Sequence, residues 1–346
     1  MAPHPPFVIG DHQIAPGTRA TIALPVSVFA NHTPADLSVQ VIHGKRPGPV
    51  IFVSAGIHGD EVIGVEICRR LLRAPGLGTL RGTLLVVPVV NSFGFLNHSR
   101  YLPDRRDLNR SFPGHSAGSL AGRLARLFLK EVVMRCDLGI DIHSAAIHRT
   151  NLPQIRVSPG NARTRRLAQV FGAPVVLTSP LREGSLRGEA KERGVDVLLY
   201  EAGEGLRFDE TSIRAGVAGL LRVLHHEGMI SRRGVPRASA TPIMVRDSTW
   251  LRAPAGGIVR MYRSEGDVVS ASDVLAVVSD PFGAEEVELR APDPGIIVGR
   301  AVMPVVNEGD ALFHLGAVSP QEDAEAALDD HAEDVAEPLF DEDEII

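Results

Sequence analysis

Residues 50–61 read Val-Ile-Phe-Val-Ser-Ala-Gly-Ile-His-Gly-Asp-Glu, an apolar run followed by glycines and polar side chains. An apolar run that stops at Gly56 is typical of a strand buried on both faces of a parallel sheet. Apolar residues at helical spacing follow over residues 61–73, which predicts a helix. This unit places His58 on the loop after the strand and Glu61 at the start of the helix.

The alternation of strand and helix continues to about residue 230. Further buried strands are predicted at residues 83–90, 138–142 and 195–200, and further helices at residues 120–134 and 211–228. Strands that alternate with helices predict the α/β class, with a mostly parallel sheet flanked by helices.

Polar residues follow the ends of these strands. They are His58, Asn91, His143 and Glu201. Ligands of such sheets bind at the carboxyl ends of the strands, so we expect these side chains to share one site. Two histidines and a glutamate form the ligand set of catalytic zinc sites that keep a fourth position open for water. Taken singly, each is also explained by a helix cap, a solvated helix face or a bond to a loop carbonyl.

Four short motifs occur in a fixed order: His58-x-x-Glu61, Asp107-x-Asn109-Arg110, Asp141-x-His143 and Glu201-x-Gly203. This order resembles the succinylglutamate desuccinylase/aspartoacylase family, within the wider zinc carboxypeptidase-like fold. The resemblance spans about residues 40–230, and a β-rich C-terminal extension is also typical of the family. It implies a zinc-dependent hydrolase that cleaves the amide bond of an N-acyl amino acid or a related small carboxylate.

Two alternatives remain open at this point. Within the same fold, the chain could be a zinc carboxypeptidase acting on a peptide or on the C-terminus of an amino-acid-ligated protein. Outside catalysis, it could be a binding module that keeps only the fold, although a complete set of ligands and base argues against that.

The resemblance also implies a role for each motif residue. His58, Glu61 and His143 are the expected ligands of one zinc ion per subunit. Asp107 is expected to accept a hydrogen bond from the ring nitrogen of His58 that does not bind the metal, and so to fix the orientation of the ring. Asp141 has two possible places, beside His143 or facing the helix on the core side.

The resemblance assigns substrate binding to the second motif, Asp107-x-Asn109-Arg110. Asn109 and Arg110 are expected to hold the substrate carboxylate, because a guanidinium offers a fork of donors that suits a planar carboxylate. A further arginine is expected to polarise the scissile carbonyl. Arg100 fits the motif best, and Arg105 and Arg106 are the alternatives.

Glu201 is the expected general base and acid, which takes a proton from water and later protonates the departing amine. Glu204 competes for this role. Residues 114–118, Gly-His-Ser-Ala-Gly, spell a nucleophile elbow around Ser116, but the polar residues before them do not predict the buried strand that an elbow requires. Residues 148–151 lie where a loop could reach the pocket, which makes them a secondary candidate for substrate contact.

The formal net charge of −6 combines two regions of opposite sign. Residues 317–346 hold twelve Asp and Glu and no Lys or Arg, so residues 1–316 hold all 36 basic residues and 30 of the 42 acidic ones. The acidic end predicts a disordered tail. The basic surplus of the body suits an anionic small-molecule substrate. Its arginines are dispersed and match no recognised nucleic-acid module, so nucleic acid is not an expected partner.

Two C-terminal segments resemble each other, from Arg252-Ala-Pro to Glu265-Gly-Asp and from Arg290-Ala-Pro to Glu308-Gly-Asp. Such a repeat resembles the hammerhead fold of biotinyl and lipoyl carriers. Residues 240–316 lack the lysine that a carrier needs, so we expect a small β-barrel that frames the active site or helps to assemble subunits, which leaves a homo-oligomer open. The predicted units are an N-terminal extension (1–36), a zinc hydrolase domain (37–232), the barrel (240–316) and the acidic tail (317–346).

The remaining features point to a reduced compartment. Cys68 and Cys136, the only cysteines, lie in apolar contexts without metal or redox spacing and are expected in the core. The first eleven residues do not resemble a secretory signal, and no apolar run reaches membrane-spanning length. We therefore expect a cytoplasmic protein without a membrane partner.

Overall fold

The structure is a computed structural model that describes residues 4–29, 31–238, 240–318 and 321–336. Its strands are β1 (Phe7–Ile9), β2 (His12–Ile14), β3 (Thr18–Val28), β4 (Pro34–His43), β5 (Arg46–Ala55), β6 (Arg81–Val87), β7 (Leu138–His143), β8 (Arg149–Val157), β9 (Val175–Thr178), β10 (Asp196–Glu204), β11 (Ile243–Val245), β12 (Ser248–Arg252), β13 (Gly257–Met261), β14 (Val268–Val269), β15 (Val274–Ser279), β16 (Glu286–Arg290), β17 (Gly295–Ala301), β18 (Val305–Val306) and β19 (Ala311–Ala317). Its α-helices are α1 (Ile63–Leu71), α2 (Ser92–Leu96), α3 (Leu120–Glu131), α4 (Ala162–Phe171), α5 (Leu186–Glu192), α6 (Glu210–His226) and α7 (Gln321–Ala336). Within these ranges, no helix is both long and apolar enough to cross a membrane.

One large sheet runs through the molecule, with its main strands in the order β12-β19-β17-β8-β10-β7-β5-β6-β4-β3. The centre is parallel, from β10 through β7 and β5 to β6. On either side the pairing becomes antiparallel, between β10 and β8 and between β6 and β4. The α/β prediction is confirmed, but the prediction of a mostly parallel sheet is wrong, because the sheet is mixed.

The antiparallel strands on one side come from the N-terminal residues. β3 and β4 pair from Thr18↔His43 to Val28↔Pro34, and β4 pairs in turn with β6. Alternate residues of β4, such as Leu37 and Val39, are buried, as a strand with one face on the core requires. The predicted boundary at residue 37 therefore falls inside a strand of the main sheet.

Apolar side chains cover both faces of the central strands. Along β5, Ile51 and Val53 join the core under α1, α4 and α6, whereas Phe52 joins the core under α3. This alternation confirms that β5 is buried on both faces. Cys68 and Cys136 are free thiols buried in these two cores, as expected.

The C-terminal strands divide between two sheets. β16, β15, β13 and β18 form a separate antiparallel sheet, whereas β17, β19 and β12 extend the large sheet beyond β8. Both sets share an apolar core that includes Val259, Leu275 and Phe313. The prediction of a β-rich C-terminal unit is confirmed. In the described residues it is not a separate closed barrel, because its strands continue the hydrogen bonding of the catalytic sheet.

The acidic C-terminal segment forms α7, which packs against α6 and β14. The side chains that face the body recur at helical spacing: Ala324, Leu328, His331 and Val335. The prediction of a disordered tail is wrong over α7, because the high charge masks this apolar stripe. Residues 337–346 of the predicted tail lie outside the described residues.

Candidate active site

Two neighbouring strands present the three candidate metal ligands. His58 and Glu61 lie on the loop between β5 and α1, and His143 is the last residue of β7. The Nδ1 atoms of the two histidines lie 2.6 Å from the two carboxylate oxygens of Glu61, Oε1 for His58 and Oε2 for His143. All three side chains are buried, and one potential ligand atom from each lies within 4.8 Å of the others. The structure thus brings the predicted ligand set together, and we call these three residues the ligand cluster.

A close backbone contact shapes the ligand loop. A Cβ atom on Gly59 would lie 1.8 Å from the carbonyl carbon of Gly94 in α2. Only glycine lets the two backbones approach this closely. Asn91 caps the start of α2, because its side-chain Oδ1 accepts a hydrogen bond from the Gly94 amide at 2.9 Å. Asn91, predicted to share the site, therefore supports the ligand loop and does not line the cavity.

Carboxylates lie behind both histidines. His58 Nε2 lies 3.1 Å from Asp107 Oδ1, and His143 Nε2 lies 2.8 Å from Asp141 Oδ2. Asp141 also accepts a hydrogen bond from Ser54 Oγ at 2.6 Å, so it lies beside His143. A ring that donates its Nε2 proton to a carboxylate keeps the Nδ1 lone pair for a metal. This arrangement fits a metal ion held by both Nδ1 atoms and Glu61.

The pKa values of the ligand cluster also fit a metal site. Burial alone would lower the pKa of His143, but Asp141 and Glu61 outweigh it and hold that pKa well above its usual range. Burial would also lower the pKa of His58, but Glu61 and Asp107 outweigh this effect and raise it. The two imidazoles overcome burial at Glu61 and hold its pKa far below the usual range. Carboxylates thus stabilise buried positive charge here, which suits a divalent cation in place of two imidazolium protons.

A cavity of about 260 Å³ opens beside the ligand cluster. Its lining includes the predicted residues Arg100, Asn109, Arg110 and Glu201. Arg105 and Arg106, the alternatives to Arg100, are exposed and lie outside this lining.

Arg100 is joined to the ligand cluster through Asp107. Its Nη2 and Nε donate to Asp107 Oδ2 at 3.0 and 3.2 Å, and its Nη1 donates to Glu61 Oε1 at 3.4 Å. Asp107 Oδ1 also accepts from the Asn109 amide at 2.8 Å. One carboxylate therefore fixes His58, Arg100 and the start of the Asn109–Arg110 turn together.

Asn109 and Arg110 line the cavity from this turn. Asn109 Oδ1 accepts a hydrogen bond from the Leu186 amide at 2.9 Å, which leaves its Nδ2 group as a donor. Arg110 is exposed and donates from Nη1 to the Asn109 carbonyl at 2.6 Å. Both residues predicted to bind a substrate carboxylate therefore lie at the cavity.

Glu201 lies in β10, paired with His143 of β7 in the parallel ladder. Its Oε2 accepts from Asn151 Nδ2 at 3.0 Å, and its Oε1 lies 3.2 Å from Arg156 Nη1. These two donors fix the carboxylate at the cavity. Glu204 lies outside the lining and accepts a hydrogen bond from the His148 amide at 3.1 Å.

Several further cavity residues were not predicted individually from the sequence. Four of them are arginines, which we call the arginine wall: Arg149, Arg156, Arg182 and Arg187. Trp250 of β12 also lines the cavity. Arg149 and Asn151 do belong to the secondary candidate segment 148–151, but Arg182, Arg187 and Trp250 carry no spacing signal that links them to the motifs.

Trp250 and Asn151 lie at the two ends of a row of residues that are paired across adjacent strands. Trp250 pairs with His314, His314 with Gly299, and Gly299 with Asn151, across four adjacent strands. Directly opposed residues of antiparallel strands share one face of the sheet. A Cβ atom on Gly299 would lie 2.5 Å from Asn151 Oδ1, so the glycine leaves the space that the Asn151 side chain occupies.

The nucleophile-elbow alternative is wrong. Ser116 is exposed, lies outside the cavity lining, and follows turns and a short 3₁₀ helix, Leu108–Arg110, where the elbow requires a buried strand.

Comparison with known proteins identifies the family. The sequence model of the succinylglutamate desuccinylase/aspartoacylase catalytic domain matches residues 47–227, which is more than half of the chain. The chain belongs to this family. The match covers the whole ligand cluster, Glu201 and the arginine wall, whereas Trp250 lies beyond it.

Within the succinylglutamate desuccinylase/aspartoacylase family, relatives differ in their named activities. An N-alpha-acetyl-L-2,4-diaminobutyric acid deacetylase of Halomonas elongata is 27% identical over 86% of this chain and 90% of its own length. The succinylglutamate desuccinylase of Pseudomonas aeruginosa is 32% identical, but over only 36% of this chain and 39% of its own length. The product-bound ectoine utilization protein EutE (DoeB) of Ruegeria pomeroyi has the same fold, with a TM-score of 0.78 and 24% identity over 87% of this chain and 95% of that chain.

Proposed function

We propose that the chain is a zinc-dependent deacylase that hydrolyses the amide bond of an N-acyl amino acid. The observation that carries the proposal is a single small cavity lined by the ligand cluster, by the carboxylate of Glu201 and by arginines. The curated relatives, which are named as a deacetylase and a desuccinylase, support the reaction type. The cavity volume of about 260 Å³ is of the size that a small N-acyl amino acid needs.

The ligand cluster would hold the zinc ion through His58, Glu61 and His143. When bound, zinc supplies Lewis-acid activation of the scissile carbonyl and of a water molecule. Asp107 and Asp141 orient the two imidazoles by accepting their Nε2 protons, which keeps both Nδ1 atoms directed at the metal position.

Glu201 performs the proton transfers. Its carboxylate takes a proton from the attacking water and delivers it to the nitrogen of the departing amine. Asn151 and Arg156 hold the two carboxylate oxygens in place for both steps. Arg100, fixed by Asp107, offers guanidinium N–H donors to the negative charge that develops on the carbonyl oxygen.

Arg110 and Asn109 anchor the substrate by its carboxylate. A guanidinium and an amide donor together match the two oxygens of a planar carboxylate. Because Asp107 bonds both the Asn109 amide and the Arg100 side chain, anchor and catalytic groups keep a fixed relative position.

The experiment combines metal analysis with an activity screen. We expect about one zinc per subunit by elemental analysis, as a set of three protein ligands with a fourth position open to water predicts. The zinc-loaded protein is then assayed on a panel of N-acetyl and N-succinyl amino acids and short peptides. Release of a free amino acid from an N-acyl amino acid, abolished by chelation and restored by zinc, is the expected result. Turnover of peptides alone would favour a carboxypeptidase, and stoichiometric zinc without turnover would favour a binding module.

A further inference from the structure

The acidic C-terminal helix α7 lies against the junction between the catalytic sheet and the C-terminal strands. It packs on α6 and on β14, and β14 pairs in turn with β17. No residue of α7 belongs to the ligand cluster or to the cavity lining. The proposed chemistry therefore leaves the packing of this helix unexplained.

Leu328 connects α7 to the strand that fixes Glu201. It packs against an apolar cluster formed by Val175, Leu177, Val245, Ile296 and Val298. Leu152 of β8 packs against the same cluster. Because side chains alternate along a strand, Asn151, the residue before Leu152, points to the other face of the sheet, where its Nδ2 donates to Glu201 at 3.0 Å. α7 thus supports the segment of β8 that carries Asn151, on the face opposite the cavity.

The same apolar cluster supports β17 where it pairs with β8. Ile296 and Val298 belong to the cluster, and the Val298 carbonyl accepts a hydrogen bond from Gln154 Nε2 at 2.9 Å. Gly299, the next residue, pairs with Asn151. Release of α7 would expose one side of the cluster to water, so both strands of this pair would lose packing on the same face.

The contact between α6 and α7 contains two buried nitrogen atoms without partners. Arg222 of α6 is 7% exposed, and its Nε has no hydrogen-bond partner within the described ranges, although its Nη1 donates to the Phe171 carbonyl at 2.8 Å. His331 of α7 is 6% exposed, and its Nε2 likewise has no partner there. A buried polar group without a partner lowers stability. The apolar stripe therefore holds α7 in place, whereas this polar pair weakens its packing.

A proton on His331 would weaken the packing of α7 further. The positive charge of Arg222 acts on His331 from α6, with Arg232 beside it, whereas Asp334 of α7 itself favours the proton. The residues of β14 are both apolar. Burial, and then Arg222, lowers the pKa of His331 to about 4, because Asp334 does not overcome them. Packing of α7 is therefore fully favoured above about pH 6.5, and this contribution is lost as the pH falls towards 4.

We propose that α7 is an acid-released brace. While packed, it holds the pair of β8 and β17 in the position in which Asn151 fixes Glu201, and a proton on His331 releases it. Leu328 and His331 are positioning residues and not catalytic ones, since neither lines the cavity. The inference rests on the proposed deacylase function only for the statement that the position of Glu201 affects catalysis.

Hydrogen exchange of the full-length protein measures the packing of α7 without a substrate. Protection factors, corrected for the pH dependence of the intrinsic exchange rate, are compared at pH 7 and pH 5. We expect opening of α7 to be at least about tenfold more frequent at pH 5, as a lowering of the pKa of one histidine from 6.5 to about 4 predicts. β8 and β17 should lose protection in the same step, whereas α3, which packs in the other core, should keep it.

Variants of α7 separate its release from other effects of acid. His331→Leu takes up no proton at this position, so its α7 should stay protected at pH 5, although the histidines of the ligand cluster still titrate. Leu328→Ser should release α7 already at pH 7, and Leu328→Met should keep it packed. Ala326→Ser changes an exposed position of α7 and should behave as wild type.

Two results of the exchange experiment would overturn the inference. The first is an equal loss of protection of α7 in wild type and in His331→Leu, which would mean that His331 does not control the release. The second is release of α7 in Leu328→Ser without any loss of protection in β8 and β17, which would mean that the helix does not brace them.

Kinetics at pH 7 tests the consequence for Glu201 on the panel of N-acetyl and N-succinyl amino acids. Leu328→Ser should lower kcat about threefold to tenfold with KM nearly unchanged, which is part of what a hydrogen bond to a charged group contributes, and Leu328→Met should restore it. An unchanged kcat in Leu328→Ser would contradict the positioning role. If no compound is hydrolysed, the deacylase proposal fails, and the exchange of β8 and β17 still decides whether α7 is a brace.

Discussion

The ligand cluster and the arginine wall border the same cavity but differ in how their charges are balanced. In the ligand cluster, every ring nitrogen of His58 and His143 faces a carboxylate at 2.6 to 3.1 Å. Among the described residues, Arg156 is the only member of the arginine wall that pairs with a carboxylate, and Arg149 is held by an aromatic ring. The groups proposed for the chemistry are therefore fixed by ion pairs, whereas most of the arginine wall has no carboxylate partner among the described residues.

The largest expected effect follows from breaking the ligand cluster. We expect His143→Ala to lose zinc and all measurable activity while it keeps its fold, because His143 lies at the carboxyl end of β7 and not within the apolar cores. Elemental analysis, activity assays and circular dichroism check this. The matched variant Asp141→Asn keeps all three ligands and should weaken zinc binding by only about 10–100-fold. Full zinc content in His143→Ala would remove it from the ligand set.

A smaller effect is expected when the base is neutralised. Glu201→Gln keeps the shape of the side chain and should lower kcat by on the order of 10²–10⁴-fold with zinc content unchanged. Its control is Glu204→Gln, which changes a carboxylate outside the cavity lining and should be nearly as active as wild type. The reverse result, an active Glu201→Gln and an inactive Glu204→Gln, would assign the proton transfers to Glu204.

Replacement of Arg110, the proposed carboxylate anchor, should reduce activity less than the loss of Glu201, and it should act on substrate binding. Arg110→Ala is expected to raise KM about tenfold to a hundredfold for a substrate with a free α-carboxylate and to abolish the preference over its α-amide. Arg100→Ala should instead act mainly on kcat, since its partner develops in the transition state. Kinetics of both variants on one acid and amide pair separate these roles. Equal use of acid and amide by wild type would contradict the role of Arg110.

The smallest expected effect is a change in fluorescence, and it concerns the stack of Trp250 and His314 beside Arg149 of the arginine wall. Burial, and then the positive charge of Arg156, lowers the pKa of His314 from its usual value of about 6.5 to about 4. The folded state thus favours the neutral ring, so the stability from its burial is fully present above about pH 6.5 and is lost as the pH falls towards 4. Trp250, the only tryptophan and stacked on His314, should show a fluorescence change with a midpoint near 4.

His314→Gln provides the control for that titration, because it removes the ionising ring and should abolish the fluorescence step. A step centred near pH 6.5 in wild type would mean that His314 is solvated, and that the stack beneath Arg149 is not held as the structure has it.

The same contrast explains what the sequence could predict. The ligand cluster and Glu201 follow strand ends within short motifs, so local pattern and family resemblance sufficed to place them. The arginine wall is assembled from β8, from the turn before α5 and from α5 itself, and its aromatic support comes from β12. No spacing connects these segments, because the register between β12, β19, β17 and β8 brings them together.

The fold was predictable to a similar degree. Apolar runs identified β5, β7 and β10, and their helices followed from periodicity. The neighbours of these strands could not be predicted, because alternation in β4 indicates a strand but not that it pairs antiparallel with β6 on one side and with β3 on the other. For α7, the acidic composition predicts disorder, whereas the spacing of its apolar residues is that of a helix. The prediction followed the composition and so missed the buried stripe that includes Ala324 and Val335.

The ladder between β8 and β17 has a consequence for the evolution and engineering of this chain. Because Gly299 pairs directly with Asn151, the C-terminal strands are the lateral continuation of the catalytic sheet. Grafting the C-terminal strands of a relative would replace Trp250 and reset the strand beside Asn151 in the same event. A slip of one residue in that ladder would also turn the row to the opposite face. The lining of the cavity should therefore be inherited as a property of two coupled segments, and neither segment can be exchanged without changing the other.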